Sequence, residues 1–411
     1  MSPPPTILIY AELLSNVRQV SVACTLPSAS TQNTKVFTDG NGSALTITHD
    51  GLTQTIILPG RVASSSQLPI HKAGTTDLSW RLPLANPSTL HIVRASDESI
   101  PWSASDLSIG SAISCRTCTS TIVEEGKLKI WKDLPSENWA EMMEFWHCHK
   151  PETHSHHDGD NEQHLTNRGY GASSRIAAQP GVGFVDLTSF LIDESDITGP
   201  SHSQTTPTSK SNGNGDHDTG QHTPSNAMYC GSCHTQYGVR ADDSSSISIF
   251  KWQTSVSQKD TQHSYAPNLS QCVSAMLLAT MSRSGCSKSI TLPMKTSPSF
   301  TSPTQHSIAS PTPSAPSILH IWLFNTSITF SSTASKSNVN AIKVFYRLVS
   351  QEDADSMLES MTSDVQDITL PSDAIENVKQ LLSDSTGFVP ETSRMFKEWK
   401  VGLLEKWDGG G

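Results

Sequence analysis

Four of the eight cysteines in this 411-residue chain form two Cys-x-x-Cys pairs, Cys115-Arg-Thr-Cys118 and Cys230-Gly-Ser-Cys233. A tight turn carrying two thiols is half of a tetrahedral zinc site, and two such turns supply the four thiolates a structural zinc takes. Gly231 suits such a turn. The long chain between the pairs then reads as an excursion returning to a common site. A thioredoxin-type redox pair would need a βαβ setting, which the surrounding pattern lacks. One structural zinc on Cys115, Cys118, Cys230 and Cys233 is the expected cofactor.

A fifth thiol, Cys148, is the candidate nucleophile. It lies in Leu134-Pro-Ser-Glu-Asn-Trp-Ala-Glu-Met-Met-Glu-Phe-Trp-His-Cys-His-Lys150. Ser136 reads as an N-cap, and Glu137 and Glu141 suit the positive end of a helix dipole. Trp139, Met142, Met143 and Trp146 fall at i, i+3, i+4 and i+7, one apolar face, and Pro151 stops the helix. Cys148 is nine residues from Trp139, roughly 180° around the helix at about 100° per residue, so it points away from that face. Transthiolation needs a thiolate. The helix C-terminus and Glu144 work against its formation, while His147 and His149, when protonated, favour it. An exposed soft thiol between imidazoles could equally reach a partner's metal centre.

The string Pro-Ser-Glu-Asn-Trp, followed by Glu-Met-Met-x-Phe-Trp-x-Cys-His-Lys-Pro, resembles the signature of the HECT-like ubiquitin-conjugating-enzyme-binding proteins over residues 134–151. The resemblance is looser at the two cysteine pairs, at Gly183-Phe-Val-Asp-Leu187 and through the C-terminal third. It implies a ubiquitin-protein ligase, a transferase whose partners are a ubiquitin-conjugating enzyme, ubiquitin and protein substrates. It makes Cys148 the candidate catalytic residue and Pro135, Ser136, Asn138, Trp139, Trp146, His147 and His149 the candidate binding residues. It also implies an alternative role in mRNA 3′-end processing, as a non-enzymatic inhibitor of the pre-mRNA cleavage endonuclease acting through the Cys148 helix end. A conventional HECT lobe carries its acceptor cysteine near the C-terminus, whereas the last cysteine here is Cys286. With the paired cysteines and an apolar-flanked Cys24 set aside, Cys148, Cys272 and Cys286 remain, and the last two flank an apolar run that suits a structural role.

Composition bounds these readings. A net charge of −11 argues against a nucleic-acid groove as the main surface, and a hydrophobic content of 35% leaves room for stretches outside any core. No secretory signal and no apolar run long enough for a membrane span are visible, so a reduced, cytoplasmic or nuclear setting with no membrane partner is expected.

The elements that must position the thiols read mainly as strands. Residues 6–100 carry apolar β-branched runs with a hairpin signal at Asp50-Gly51, a β-sandwich or open barrel. His49, His71 and His91 read there as surface or satisfied histidines. Thr119–Val123, Leu128–Trp131, a strand near 181–192, Ser246–Trp252, Ile318–Phe330 and Ala341–Val349 follow. In the last of these, Ile342, Val344, Tyr346 and Leu348 alternate with polar positions. Ser274–Met281 suits a short helix or strand, and helices are expected over Glu352–Thr362, Ser372–Ser383 and Glu391–Trp407. The tracts Thr153–His164, Ser195–Asn226 and 295–316 read as disordered. The expected class is α+β, mostly antiparallel β, with a short signature helix, a zinc-knuckle element, disordered inserts and C-terminal helices. The expected organisation is an N-terminal β domain (1–110), first knuckle and signature helix (111–152), insert (153–226), second knuckle region (227–290), linker (291–316) and HECT-like region (317–411).

Overall fold

In a computed structural model, the described residues are 6–63, 67–70, 74–85, 100–134, 176–198, 226–241, 245–257, 266–294, 317–335, 337–360 and 364–408, with the backbone of 201–202. In chain order the strands are β1 (Leu8–Leu14), β2 (Gln19–Thr25), β3 (Lys35–Thr38), β4 (Ala44–His49), β5 (Leu52–Ile57), β6 (Asp77–Pro83), β7 (Ile113–Cys115), β8 (Thr121–Val123), β9 (Ile130–Asp133), β10 (Val182–Val185), β11 (Ser189–Asp193), β12 (Ser201–His202), β13 (Ala227–Cys230), β14 (Gln236–Arg240), β15 (Ser246–Phe250) and β16 (Thr254–Val256). Helix α1 (Leu269–Ser284) precedes β17 (Lys288–Pro293), β18 (Ile318–Ser332) and β19 (Val339–Val349). Then come α2 (Gln351–Glu359), β20 (Val365–Leu370), α3 (Ser372–Thr386), β21 (Met395–Phe396) and β22 (Trp399–Glu405). Strand pairing is antiparallel except for β9–β10 and β17–β20, so the chain is α+β with mostly antiparallel β structure. No helix among the described residues is long and apolar enough to cross a membrane.

The chain divides into two compact units. The first comprises Met1–Ser99, Leu269–Met294 and Ile308–Gly411. Its nine-stranded sheet runs β21-β22-β19-β18-β1-β2-β6, with β17 on β18 and β20 on β17. Tyr10 pairs with Ser332 and Leu13 with Thr329, which puts the N-terminal strands and the C-terminal strands in one sheet. One face of β1, β2 and β6 packs Ile9, Ala11, Val22 and Trp80 against Val36, Leu45, Ile47 and Ile56 of a second sheet, β3-β4-β5. The β4–β5 turn is Asp50-Gly51 with φ of 48° and 79°, the left-handed pair that a two-residue hairpin turn requires. His49 is fully buried and satisfied by Ser28 and Thr34 hydroxyls at 2.8 and 2.9 Å. Cys24 is buried, which pushes its thiol up to about 12. His71 and His91 lie outside the described residues.

The second unit comprises Ile100–Asn268 and Lys295–Ser307. It holds a seven-stranded sheet, β12-β13-β14-β15-β11-β10-β9, and a three-stranded sheet, β16-β7-β8. Phe190, Ile192, Met228, Tyr237, Ile247 and Ile249 are buried in it. Lys251 is also fully buried, its ammonium donating to the carbonyl oxygens of Pro101, Trp102 and Leu187. Gly183 is dictated by packing: a Cβ there would lie 2.4 Å from Trp131 Cζ3.

Several expectations are corrected. Glu391–Trp407 is not a helix but a short 3-10 turn followed by the β21–β22 hairpin. Trp399 and Leu403, four apart, share one face of β22 because four is a multiple of the strand period as well as close to a helical turn, whereas Met395 lies across the turn on β21. The single strand read near 181–192 is two, β10 and β11, turning at Asp186–Thr188. The tract read as disordered from Ser195 begins with structure: Asp193 caps a 3-10 turn over Glu194–Asp196, and Asp196 is buried. Leu348 is exposed although it shares the alternation of β19. The ambiguous Ser274–Met281 is the interior of α1.

Candidate metal centre

Both cysteine pairs sit in the second unit, on turns of the same construction. Cys115 ends β7, its N–H donates to Ser120 O at 2.8 Å, and Thr119 N–H returns to Cys115 O at 2.8 Å. Cys230 ends β13, with the equivalent bonds Cys230 N–H to Thr235 O and His234 N–H to Cys230 O, both 2.9 Å. Thr119 and His234, each one past the second cysteine, take positive φ of 62° and 57°. That left-handed step folds each turn back on itself, so both thiols of a pair point the same way.

The two turns face one another. Cys115 Sγ lies 3.6 Å from Cys233 Sγ and Cys118 Sγ 3.6 Å from Cys230 Sγ, and all four sulfurs fall within 4.8 Å of one another. Four sulfurs at about 2.3 Å from a tetrahedral ion would stand about 3.8 Å apart, so this cluster can hold a metal ion without rearranging either turn. Cys115 and Cys230 are buried, while Cys118 and Cys233 are half-buried.

Hydroxyl groups surround the outer sulfurs. Ser120 Oγ lies 3.3 Å from Cys118 Sγ and Thr235 Oγ1 3.3 Å from Cys233 Sγ, in each case the residue two past the cysteine. Ser120 Oγ, which takes the Cys118 contact as acceptor, donates to Ser232 Oγ at 2.8 Å and so ties one turn to the other. The bonds with Ser120 hold the Cys118 thiol down at about 6, and those with Thr235 lower Cys233. Burial instead pushes Cys115 up to about 12. Cys118 is thus poised as a thiolate at neutral pH and Cys233 is shifted in the same direction, while a bound cation would deprotonate the buried Cys115. Spacing alone identified the four cysteines. The hydroxyls were missed, and their signal is the small polar residue two positions after each second cysteine, Ser120 and Thr235.

The other candidates follow the first cysteine pair in sequence. Strands β7 and β8, which flank the first cysteine pair, precede β9 in the chain; Ile130–Asp133 of β9 lies parallel to β10, and Leu134 N–H closes this pair on Val185 O at 2.8 Å. The helix expected next, with Pro135, Ser136, Asn138, Trp139, Trp146, His147, Cys148 and His149, lies outside the described residues. Of the other thiols, Cys272 is fully buried in α1 and Cys286 is half-buried beside Gln366.

A family model described as HECT-like ubiquitin-conjugating enzyme (E2)-binding matches residues 12–401 of the chain. An uncharacterized protein of Saccharomyces cerevisiae is 36% identical over 81 residues, 18% of this chain and 23% of the relative. Another of Schizosaccharomyces pombe is 34% identical over 93 residues, 20% of this chain and 26% of the relative. The chain therefore spans about a quarter of the length of these curated relatives. No solved structure matches it.

Proposed function

The chain belongs to the family of HECT-like ubiquitin-conjugating enzyme (E2)-binding proteins, and on that premise we propose that it is a ubiquitin-protein ligase. It engages a charged conjugating enzyme and promotes passage of ubiquitin to protein substrates, in the cytoplasm or nucleus. The observation that carries this reading is the family match across residues 12–401, which takes in both cysteine pairs and the whole 134–151 string.

The metal suited to Cys115, Cys118, Cys230 and Cys233 is zinc, since four soft thiolates at tetrahedral spacing favour it over cations that prefer oxygen. When bound it supplies a structural cross-link. The residues do the rest: Ser120 and Thr235 orient the outer sulfurs, and the closed turns hold β7 and β13 at fixed separation.

Cys148 is the proposed acceptor, with Pro135, Ser136, Asn138, Trp139, Trp146, His147 and His149 holding the thioester end of the charged enzyme beside it. The Cys148 thiolate attacks the thioester carbonyl carbon, a new thioester forms, and the conjugating enzyme's cysteine leaves as a thiolate. That leaving group takes up the equivalent of the proton Cys148 gave up, and His147 or His149 can carry it.

The test is a single-turnover assay with ubiquitin-charged conjugating enzyme on non-reducing gels. Wild type should form a reducible ubiquitin adduct, and Cys148→Ser should abolish it. Transfer that proceeds undiminished in Cys148→Ser refutes the covalent route. If the same variant instead loses only its grip on the pre-mRNA cleavage endonuclease, the alternative role as an inhibitor of that enzyme is correct.

A further inference from the structure

Among the described residues, the first unit's nine-stranded sheet carries an aromatic face whose outer rings are exposed. Strand alternation puts His320 and Trp322 of β18, Phe345 and Arg347 of β19, and Trp399 and Val401 of β22 on one side, and Phe396 of β21 joins them. The rings form a continuous series. His320 lies 4.7 Å from Trp399, Trp399 5.9 Å from Trp322 and Trp322 5.3 Å from Phe345. Phe345 in turn lies 5.0 Å from Phe396 and 4.7 Å from Phe324. The series is layered: Phe345 and Trp399 are 5% and 6% exposed, while Phe324 and Phe396 stand 58% and 43% exposed. On the reverse face, by contrast, α3 packs over Gly402 and Tyr346.

Two features mark this face as a built surface. The exposed rings are held from beneath: Phe396 is stacked on Phe345 at 13°, and it sits in a two-residue hairpin turned by Lys397, whose φ is 53°. Rigid, half-exposed aromatic side chains over a packed base are the groups that dominate protein–protein interfaces, because they lose little freedom on binding. The rim is polar and nearly balanced. Lys288 lies over Trp322 and pairs with Asp364, Arg347 lies over Trp399 and pairs with Glu398, and Lys397 lies by Phe396. With two of these three cations matched by carboxylates, the face has too little charge to hold a polyanion strand. An apolar centre with a mixed-charge rim fits a folded protein.

We propose that this face, centred on Phe324, Phe345 and Phe396, is the docking surface for the body of the ubiquitin-conjugating enzyme. The proposal rests on the family reading of E2 binding, and the matched residues 12–401 include every ring named here. The conjugating enzyme presents an apolar patch to Phe324 and Phe396, and its own charges meet Lys397 and the two rim ion pairs.

Binding of a panel of conjugating enzymes to the full chain, by isothermal titration or biolayer interferometry, tests this. Phe324→Ser with Phe396→Ser removes two protruding rings and leaves the buried Phe345 and Trp399 in place. Ile57→Ser, which removes an exposed apolar side chain on β5, is the control. The double variant should weaken binding by roughly thirtyfold or more, the scale of losing an interface anchor, while the control binds like wild type. A photo-crosslinking amino acid at position 397 should capture the conjugating enzyme without removing any ring, so the proposal stays testable should the double variant misfold. If wild type binds and the double variant, folded, binds equally well, this surface is wrong and the family reading stands. If wild type binds no conjugating enzyme, both fail. If the double variant keeps the conjugating enzyme but loses free ubiquitin or single-stranded RNA, the face serves that partner and the proposal is overturned.

Discussion

Stripping the metal from the four-cysteine centre should cost the second unit about 5 kcal/mol. The magnitude follows from chain topology. Cys115 and Cys233, whose sulfurs lie 3.6 Å apart, are separated by 118 residues. Cross-linking a loop of that length removes an unfolded-state entropy worth about 5 kcal/mol at 25 °C by the loop-closure relation. What remains between the turns without metal is small. Ser120 to Ser232 at 2.8 Å and Thr235 to Thr117 at 3.4 Å are each worth about 1 kcal/mol.

The assay is urea denaturation before and after exhaustive chelation under reducing conditions, with metal content measured on the same samples. Trp102, Trp131 and Trp252 are buried in this unit and report its unfolding by fluorescence. At a urea slope of about 2 kcal/mol per molar, the midpoint should fall by about 2–3 M. Cys118→Ser and Cys230→Ser should each reproduce the loss and release about one zinc per chain. A chelated protein shown to be metal-free, with a midpoint within about 0.5 M of the starting one, refutes the cross-link argument.

Other outcomes follow from single sites. Gly183→Ala places a methyl against the Trp131 ring, with its Cβ 2.4 Å from Cζ3, and should lower stability by about 1–3 kcal/mol in thermal denaturation. Lys251→Met leaves the carbonyls of Pro101, Trp102 and Leu187 without their shared donor and should cost about 3 kcal/mol in the same measurement. Burial pushes His320 down to about 4, aided by Arg347, so the folded protein keeps this imidazole neutral while the unfolded chain protonates it. The unfolded state then binds more protons between about pH 6.5 and about 4, and the stability this residue contributes is lost as pH falls through that window. His320→Gln should make the urea midpoint less steep against pH across that range and leave it unchanged in slope above it.

What the sequence discloses is set by how local the physics is. Two thiols on one turn are a local pattern, and so is the Asp50-Gly51 hairpin, whose positive φ values only such residues take readily. Strand alternation is local as well, which is why Ile342, Val344 and Tyr346 could be placed together on a buried face. The pairing of β1 with β18 is not local. Tyr10 opposes Ser332, and no period or turn signal links residues so far apart. Lys251 was invisible for a related reason: a lysine reads as surface until three carbonyls from two distant segments converge on it. The β21–β22 hairpin shows a third limit. Trp399 and Leu403 satisfy helix and strand spacing alike, so only the left-handed turn at Lys397 separates the two readings. That ambiguity hid the aromatic face. Read as a helix, residues 391–407 carry one apolar stripe to bury. Folded as a hairpin, the same residues bring Phe396 and Trp399 alongside Trp322 and Phe345 and leave rings exposed that a core would have covered.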